Sequence, residues 1–261
     1  MKYGRFKLNG QIFYGRVEGD SVVELEGSPF DSFRVTSKRH TLASLKTLLP
    51  CVPGNFYCAG LNYLAHIEWA SARKGLPVKA PQKCDVGYRS NNALIATGET
   101  IVIPADSPGP VQYEGELVVV IGRKCKNLTR ENALSAVLGY SIGNDVSERD
   151  WQRGDRTFWR GKNADTFKPM GPWIDTDVDL DAMKTVIRVN GKEDLRFKTN
   201  DMIFSIPHFL SEITKYITLY PGDVMWCGTD GTSPNLVHGD VVEVELTGLR
   251  VLRNRFVKAA A

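Results

Sequence analysis

The chain has 261 residues, 42% of them hydrophobic, which suffices for one substantial core with a small appended unit and excludes a disordered chain. Its 33 basic and 30 acidic residues leave a net charge of +3 without a long block of one sign, so no nucleic acid partner is expected. No apolar run approaches the ~20 residues that span a bilayer, so no membrane partner is expected either.

In chain order, Arg5-Phe6-Lys7-Leu8 and Gln11-Ile12-Phe13-Tyr14 flank the turn dipeptide Asn9-Gly10, and Ser21-Val22-Val23-Glu24-Leu25 follows Gly19-Asp20. These short strands predict a small N-terminal β domain over residues 1–52. A helical turn or two is expected at residues 41–46 before Leu49-Pro50-Cys51-Val52-Pro53-Gly54 breaks the pattern, leaving 53–258 as the main domain. Residues 63–74 have helical spacing, and the irregular stretch holding Gly75, Pro77 and Pro81 suits a mobile cover. Strands are expected at 100–104, 115–121, 139–142, 186–189, 223–228 and 240–246. Helices are expected at 206–216 and, capped by Thr129, over a short segment carrying Ala133, Leu134, Val137 and Leu138. The prediction is a β-rich α+β chain. Met1-Lys2-Tyr3-Gly4-Arg5-Phe6 lacks the charged-then-apolar pattern of a secretory signal, so a cytoplasmic protein is expected. The five scattered cysteines lack C-x-x-C spacing and suggest neither a disulfide framework nor a thiolate zinc site, and Cys227 reads as a small buried hydrophobe.

Chemistry concentrates in Tyr113-Glu114-Gly115-Glu116-Leu117, where strand alternation projects Glu114 and Glu116 from one face beside Val118 and Val120. Alone, an E-x-E is better read as an edge strand emerging into solvent. A second polar cluster at a strand end, Gly143-Asn144-Asp145, changes that reading, because Asp145 completes an oxygen-only set of three carboxylates. Such a set suits Mg²⁺, with Mn²⁺ or Ca²⁺ as substitutes; the four histidines show no zinc spacing.

The run Tyr113–Leu117, then Asn144-Asp145-Val146-Ser147-Glu148-Arg149-Asp150-Trp151-Gln152, then Lys162-Asn163-Ala164-Asp165-Thr166-Phe167-Lys168-Pro169-Met170-Gly171-Pro172, resembles the fumarylacetoacetate hydrolase family. The likeness extends through Gly60-Leu61-Asn62-Tyr63-Leu64-Ala65-His66 and Pro221-Gly222-Asp223 to Gly239-Asp240, and covers residues 55–249. It implies a mixed β-sandwich roll, a homodimer, and a metal held by Glu114, Glu116 and Asp145 that chelates a small oxo-carboxylate. By the same resemblance Lys162 is a pocket lysine, and His66 pairs with a glutamate to activate water. Here Glu68 stands two positions after His66, nearer than the family's glutamate, and residues two apart do not share a helical face. Arg89 stands where the family commonly has a lysine, and its planar fork suits a second substrate carboxylate. Arg149 and Gln152 match pocket positions, Arg149 as a carboxylate clamp or as a brace for Glu148 or Asp150. Thr229, in Gly228-Thr229-Asp230-Gly231, matches a carboxylate contact. The implied activity is hydrolytic C–C cleavage of an acylpyruvate-like 1,3-dioxo acid. Isomerisation, decarboxylation or dehydration of a related oxo or enol dicarboxylate is the alternative, and a non-catalytic metal or carboxylate binder, encouraged by the displaced Glu68, is a third.

Overall fold

The computed structural model describes residues 1–75 and 77–260, apart from the side chains of Arg73 and Lys74. At the first turn Asn9 and Gly10 both take positive φ, the conformation that matches the twist of a two-residue hairpin. The strands Lys2–Leu8, Gln11–Glu18 and Ser21–Gly27 therefore fold back on one another in antiparallel register. A fourth strand, Phe33–Thr41, continues the meander; its polar composition suits a sheet edge and hides it from periodicity. The helix expected at 41–46 is a single 3₁₀ turn, Leu42–Ser44, followed by the two-residue strand Lys46–Thr47.

This meander joins the main sheet, because Lys2 and Tyr3 pair with Asp175 and Ile174. Inward from there the order is Lys168–Asp175, Val137–Asn144, Gly115–Ile121, Val224–Trp226, Phe56–Gly60 and Asp85–Tyr88. A second sheet of five strands runs Lys192–Lys198, Lys184–Val189, Val241–Leu246, Val251–Lys258 and Thr100–Ile103. All seven residues of Gly115–Ile121 are buried, since each face of that strand meets a different core. Leu117, Val119 and Ile121 pack with Val244, Leu252 and Phe256 of the second sheet, while Val118 and Val120 pack with Phe56, Cys58 and Trp226. Each fully buried aliphatic side chain contributes about 1.5–3 kcal/mol, so this strand is a rigid base for whatever flanks it. A Cβ on Gly115 would lie 2.7 Å from Ile187 and 2.9 Å from Val244, so glycine between the two glutamates is what lets the sheets close there.

The strand Lys168–Asp175 was not expected from sequence, because Pro169, Gly171 and Pro172 interrupt it, yet all eight of its residues are buried. The helix expected near 129–138 shrinks to the 3₁₀ turn Ala133–Ala136. Gly122 donates its N–H to the Ala136 carbonyl at 2.8 Å, drawing Val137 and Leu138 into the strand Val137–Asn144. The helix Ile206–Tyr216 forms as expected, with Ser205 accepting from the His208 N–H at its start. Helix Leu64–Lys74 follows buried Tyr63 and stops at Gly75 in the left-handed conformation. No helix of the described residues is long and apolar enough to cross a membrane.

Candidate metal centre

Antiparallel register brings the acidic groups together. Gly115 opposes Asn144 and Glu116 opposes Gly143, so Glu114 and Asp145 lie at adjoining strand ends. The Asn144 side-chain oxygen accepts from the Glu114 N–H at 3.1 Å, and the Asp145 N–H donates to the Glu114 carbonyl at 2.8 Å. One carboxylate oxygen from each of Glu114, Glu116 and Asp145 lies within 4.8 Å of the others, and all three residues are buried. The strand is central, so the edge-strand reading of E-x-E does not hold.

Cations are distributed unevenly over this trio. Arg149 donates to Glu114 Oε1 at 2.7 Å, and Lys162 bridges Glu114 at 2.6 Å and Asp145 at 3.0 Å. Arg89 Nη2 reaches Asp145 at 2.8 Å and Lys168 Nζ reaches it at 2.7 Å. Glu116 forms no ion pair among the described residues; its Oε2 accepts from the Gly228 N–H at 2.8 Å. Burial opposes ionisation of Glu114, but Lys162 and Arg149 outweigh it and hold the carboxyl at about 2. Burial likewise opposes ionisation of Asp145, which Arg89, Lys162 and Lys168 hold well below the carboxylate range. Glu116 moves the other way, pushed well above its ordinary value by burial and then by Asp145 and Glu114. An oxygen-only trio with one buried carboxylate lacking a cation is a donor set that a hard divalent ion fits.

The remaining residues fall into two groups. His66, Glu114, Arg149 and Thr229 line one small cleft with Tyr113 and Asp230. Gln152 reaches this group indirectly, accepting from Arg149 at 2.8 Å. Arg149 braces neither Glu148 nor Asp150: it joins Gln112 at 2.8 Å to Glu114, and its guanidinium lies 5.8 Å from the Trp69 ring centre. Arg89 turns its guanidinium onto Asp145. Glu68 is exposed, and the group that engages His66 is the Gly231 carbonyl, 2.9 Å from Nδ1. The His66 N–H donates to Asp230 Oδ1 at 3.1 Å.

Sequence reasoning missed Lys168, Gln112 and Gly231. Lys168 had a signal, as the lone charge of the run Phe167-Lys168-Pro169-Met170-Gly171-Pro172-Trp173; it is fully buried, donating to the carbonyls of Val146 at 2.9 Å and Phe167 at 3.0 Å. Burial lowers its ammonium to about 8, against the pull of Asp145.

Fold and site together define a β-rich protein with a buried three-carboxylate cluster whose donor set suits a hard cation. The model of the fumarylacetoacetate hydrolase C-terminal domain matches residues 55–257, and an Rv2993c-like N-terminal model matches residues 1–50. The chain belongs to the fumarylacetoacetate hydrolase family. It is similar to the 5-carboxymethyl-2-hydroxymuconate delta-isomerase of Mycobacterium smegmatis, at 34% identity and TM-score 0.90 over 99% of this chain and 100% of that one. It is 32% identical to the mitochondrial oxaloacetate tautomerase Fahd2a of Rattus norvegicus over 78% of this chain and 67% of that one. It is 30% identical to the 2,4-didehydro-3-deoxy-L-rhamnonate hydrolase of a Sphingomonas species over 98% of this chain and 95% of that one.

Proposed function

We propose that this protein is a divalent-metal-dependent enzyme that moves a proton next to the oxo group of a small oxo-carboxylate, making it an isomerase or tautomerase of such acids. The observation that carries this reading is the His66 contact. A carbonyl only accepts, so the Nδ1 that faces Gly231 carries a proton, and Nε2 is the ring nitrogen left to serve as a base. It does so in a cleft it shares with Glu114. Among the described residues no glutamate forms a hydrogen bond or ion pair with His66, whose ring engages the Gly231 carbonyl while Glu68 is exposed, and proton transfer at carbon needs only the one base.

Glu114, Glu116 and Asp145 would hold Mg²⁺ or Mn²⁺, which when bound supplies Lewis-acid polarisation of the oxo group. His66 Nε2 takes a proton from the adjacent carbon and returns it to a second position. Lys162 and Arg149 place positive charge where negative charge develops on the substrate oxygens, and Thr229 borders the same cleft. A substrate rich in carboxylate and oxo groups accords with the names of the isomerase and tautomerase relatives. Hydrolytic C–C cleavage of an acylpyruvate-like acid is the second reading, favoured by the hydrolase relative that matches nearly the whole chain. In that reading the same Nε2 activates water.

The test is exchange at the carbon next to the oxo group of pyruvate or oxaloacetate in heavy water, followed by NMR. Exchange should require Mg²⁺ or Mn²⁺, and His66→Gln should slow it by about 10²–10⁴-fold while leaving metal affinity unchanged. No metal-dependent exchange by the wild-type protein across small oxo acids would overturn the proposal. Acetylpyruvate yielding two acids would select the hydrolytic reading.

A further inference from the structure

Asp145 carries more positive charge than its role as one of three metal ligands requires. Its Oδ1 accepts from Lys168 at 2.7 Å and from Arg89 Nε at 3.2 Å, and its Oδ2 from Arg89 Nη2 at 2.8 Å and Lys162 at 3.0 Å. A carboxylate has about four lone-pair positions, so these contacts fill it. The three donors differ in their freedom to leave. Lys168 is fully buried and pinned by the Val146 and Phe167 carbonyls, and Arg89 holds Asp145 by a two-nitrogen fork. Lys162 is shared with Glu114, which keeps Arg149 if Lys162 moves.

With Glu116 ionised, as a metal ligand must be, Arg89, Arg149, Lys162 and Lys168 outnumber Glu114, Glu116 and Asp145 by one charge. Asp230 lines the cleft as a further carboxylate but forms no ion pair with these four cations; its Oδ1 accepts from the His66 and Gly231 N–H groups. A divalent ion entering alone adds two positive charges to a buried cluster that already has an excess, and repulsion at low dielectric is strong. An ion entering with a dianion adds none. We propose that Lys168, together with Arg89, acts as a positioning residue that keeps Asp145 saturated with positive charge, so that the metal ion binds tightly only in company with a dianionic oxo-carboxylate. The inference rests on the metal-centre reading above and extends it to the charge of the substrate and to the linkage between substrate and metal.

The experiment is calorimetric titration of Mg²⁺ and of Mn²⁺ into the full-length protein, with and without saturating oxalate. In the wild-type protein oxalate should tighten metal binding by about tenfold or more, within the range of ordinary coupling between sites. Lys168→Met should bind the metal alone about fivefold more tightly and lose most of the oxalate effect. Arg89→Gln, which retains a hydrogen-bond donor toward Asp145 without the charge, should do the same and decides the matter if Lys168→Met does not fold. A merely structural brace predicts the opposite sign, because losing an outer partner of a metal ligand weakens metal binding by ~10–100-fold. That weakening in a folded variant, or an oxalate effect below about twofold in the wild type, overturns the inference alone. No uptake of either metal by the wild type even with oxalate overturns the metal-centre reading and this inference with it.

Discussion

At the outer end of the large sheet Lys38 reaches Glu24 and Arg39 reaches Glu18, each at 2.9 Å, with the cationic side chains 66% and 60% exposed. At its centre Arg149 and Lys162 reach Glu114 at nearly the same separations, with the three side chains 8% exposed or less. The chemical groups are alike and their surroundings are not. Water screens the outer pairs and solvates either partner if the other is removed, so they contribute little. The inner pairs have lost that solvation, and removal of one partner strands the other. The inner cluster is thereby fixed in charge and place, which is what a site requires, while the outer pairs keep an edge strand soluble and unattractive to other strands.

The most severe way to break the contrast is at Glu116, the inner carboxylate without a cation. Glu116→Gln should abolish metal-dependent turnover and weaken Mg²⁺ binding by more than about a hundredfold, beyond the loss of an outer partner, read by titration calorimetry. Its effect on the metal-free protein should be favourable. The folded carboxyl sits well above its ordinary 4.5, so its contribution to stability is present below pH 4.5 and lost as pH rises through the folded value. Glutamine keeps an acceptor for Gly228 and has no such loss. The Tm advantage of Glu116→Gln over metal-free wild type should therefore grow with pH, and saturating Mg²⁺ should erase it. Glu114 has the opposite sign: held at about 2, it contributes stability above pH 4.5 that is lost as pH falls toward 2.

Arg149→Met tests the inner pair directly. It leaves buried Glu114 with Lys162 as its one remaining cation and removes partners from Gln112 and Gln152. A destabilisation of ~3–5 kcal/mol by urea unfolding is expected, the range for breaking a buried pair from one side. A loss below about 1 kcal/mol would mean that the centre is as wet as the sheet edge.

What could be read from the amino-acid chain follows the same division. Glu114, Glu116 and Asp145 were legible because strand alternation puts the two glutamates on one face, Asp145 ends a second predicted strand, and the family resemblance joins the three into one set; the fold supplies the register. Arg149 was legible as a pocket residue, but not its partner, Glu114, which lies 35 residues back in sequence and becomes a neighbour through strand pairing. The strand Lys168–Asp175 was hidden because its prolines and glycine oppose the local preference that tertiary burial overrides, so the lone charge of Lys168 in that run had no strand to place it. The group orienting His66 is a main-chain carbonyl, and every residue has one, so no pattern of side chains could have singled out Gly231. Phe33–Thr41 was missed for the opposite reason: too little of it is buried to impose a period.

The smallest effect belongs to that outer strand and is the control for the others. Lys38→Met removes a contact to Glu24 whose length matches those of the inner cluster, so distance alone would predict a comparable cost. Solvent decides otherwise. The Lys38 side chain is mostly in water in the folded protein and fully so in the unfolded one, while Glu24 retains its contact with His40 at 3.1 Å. A change of at most about 0.5 kcal/mol is expected, shrinking further in high salt. A loss of several kcal/mol would show that the four-stranded meander depends on its charges, and the distinction between its ion pairs and those around Glu114 would then rest on geometry and not on desolvation.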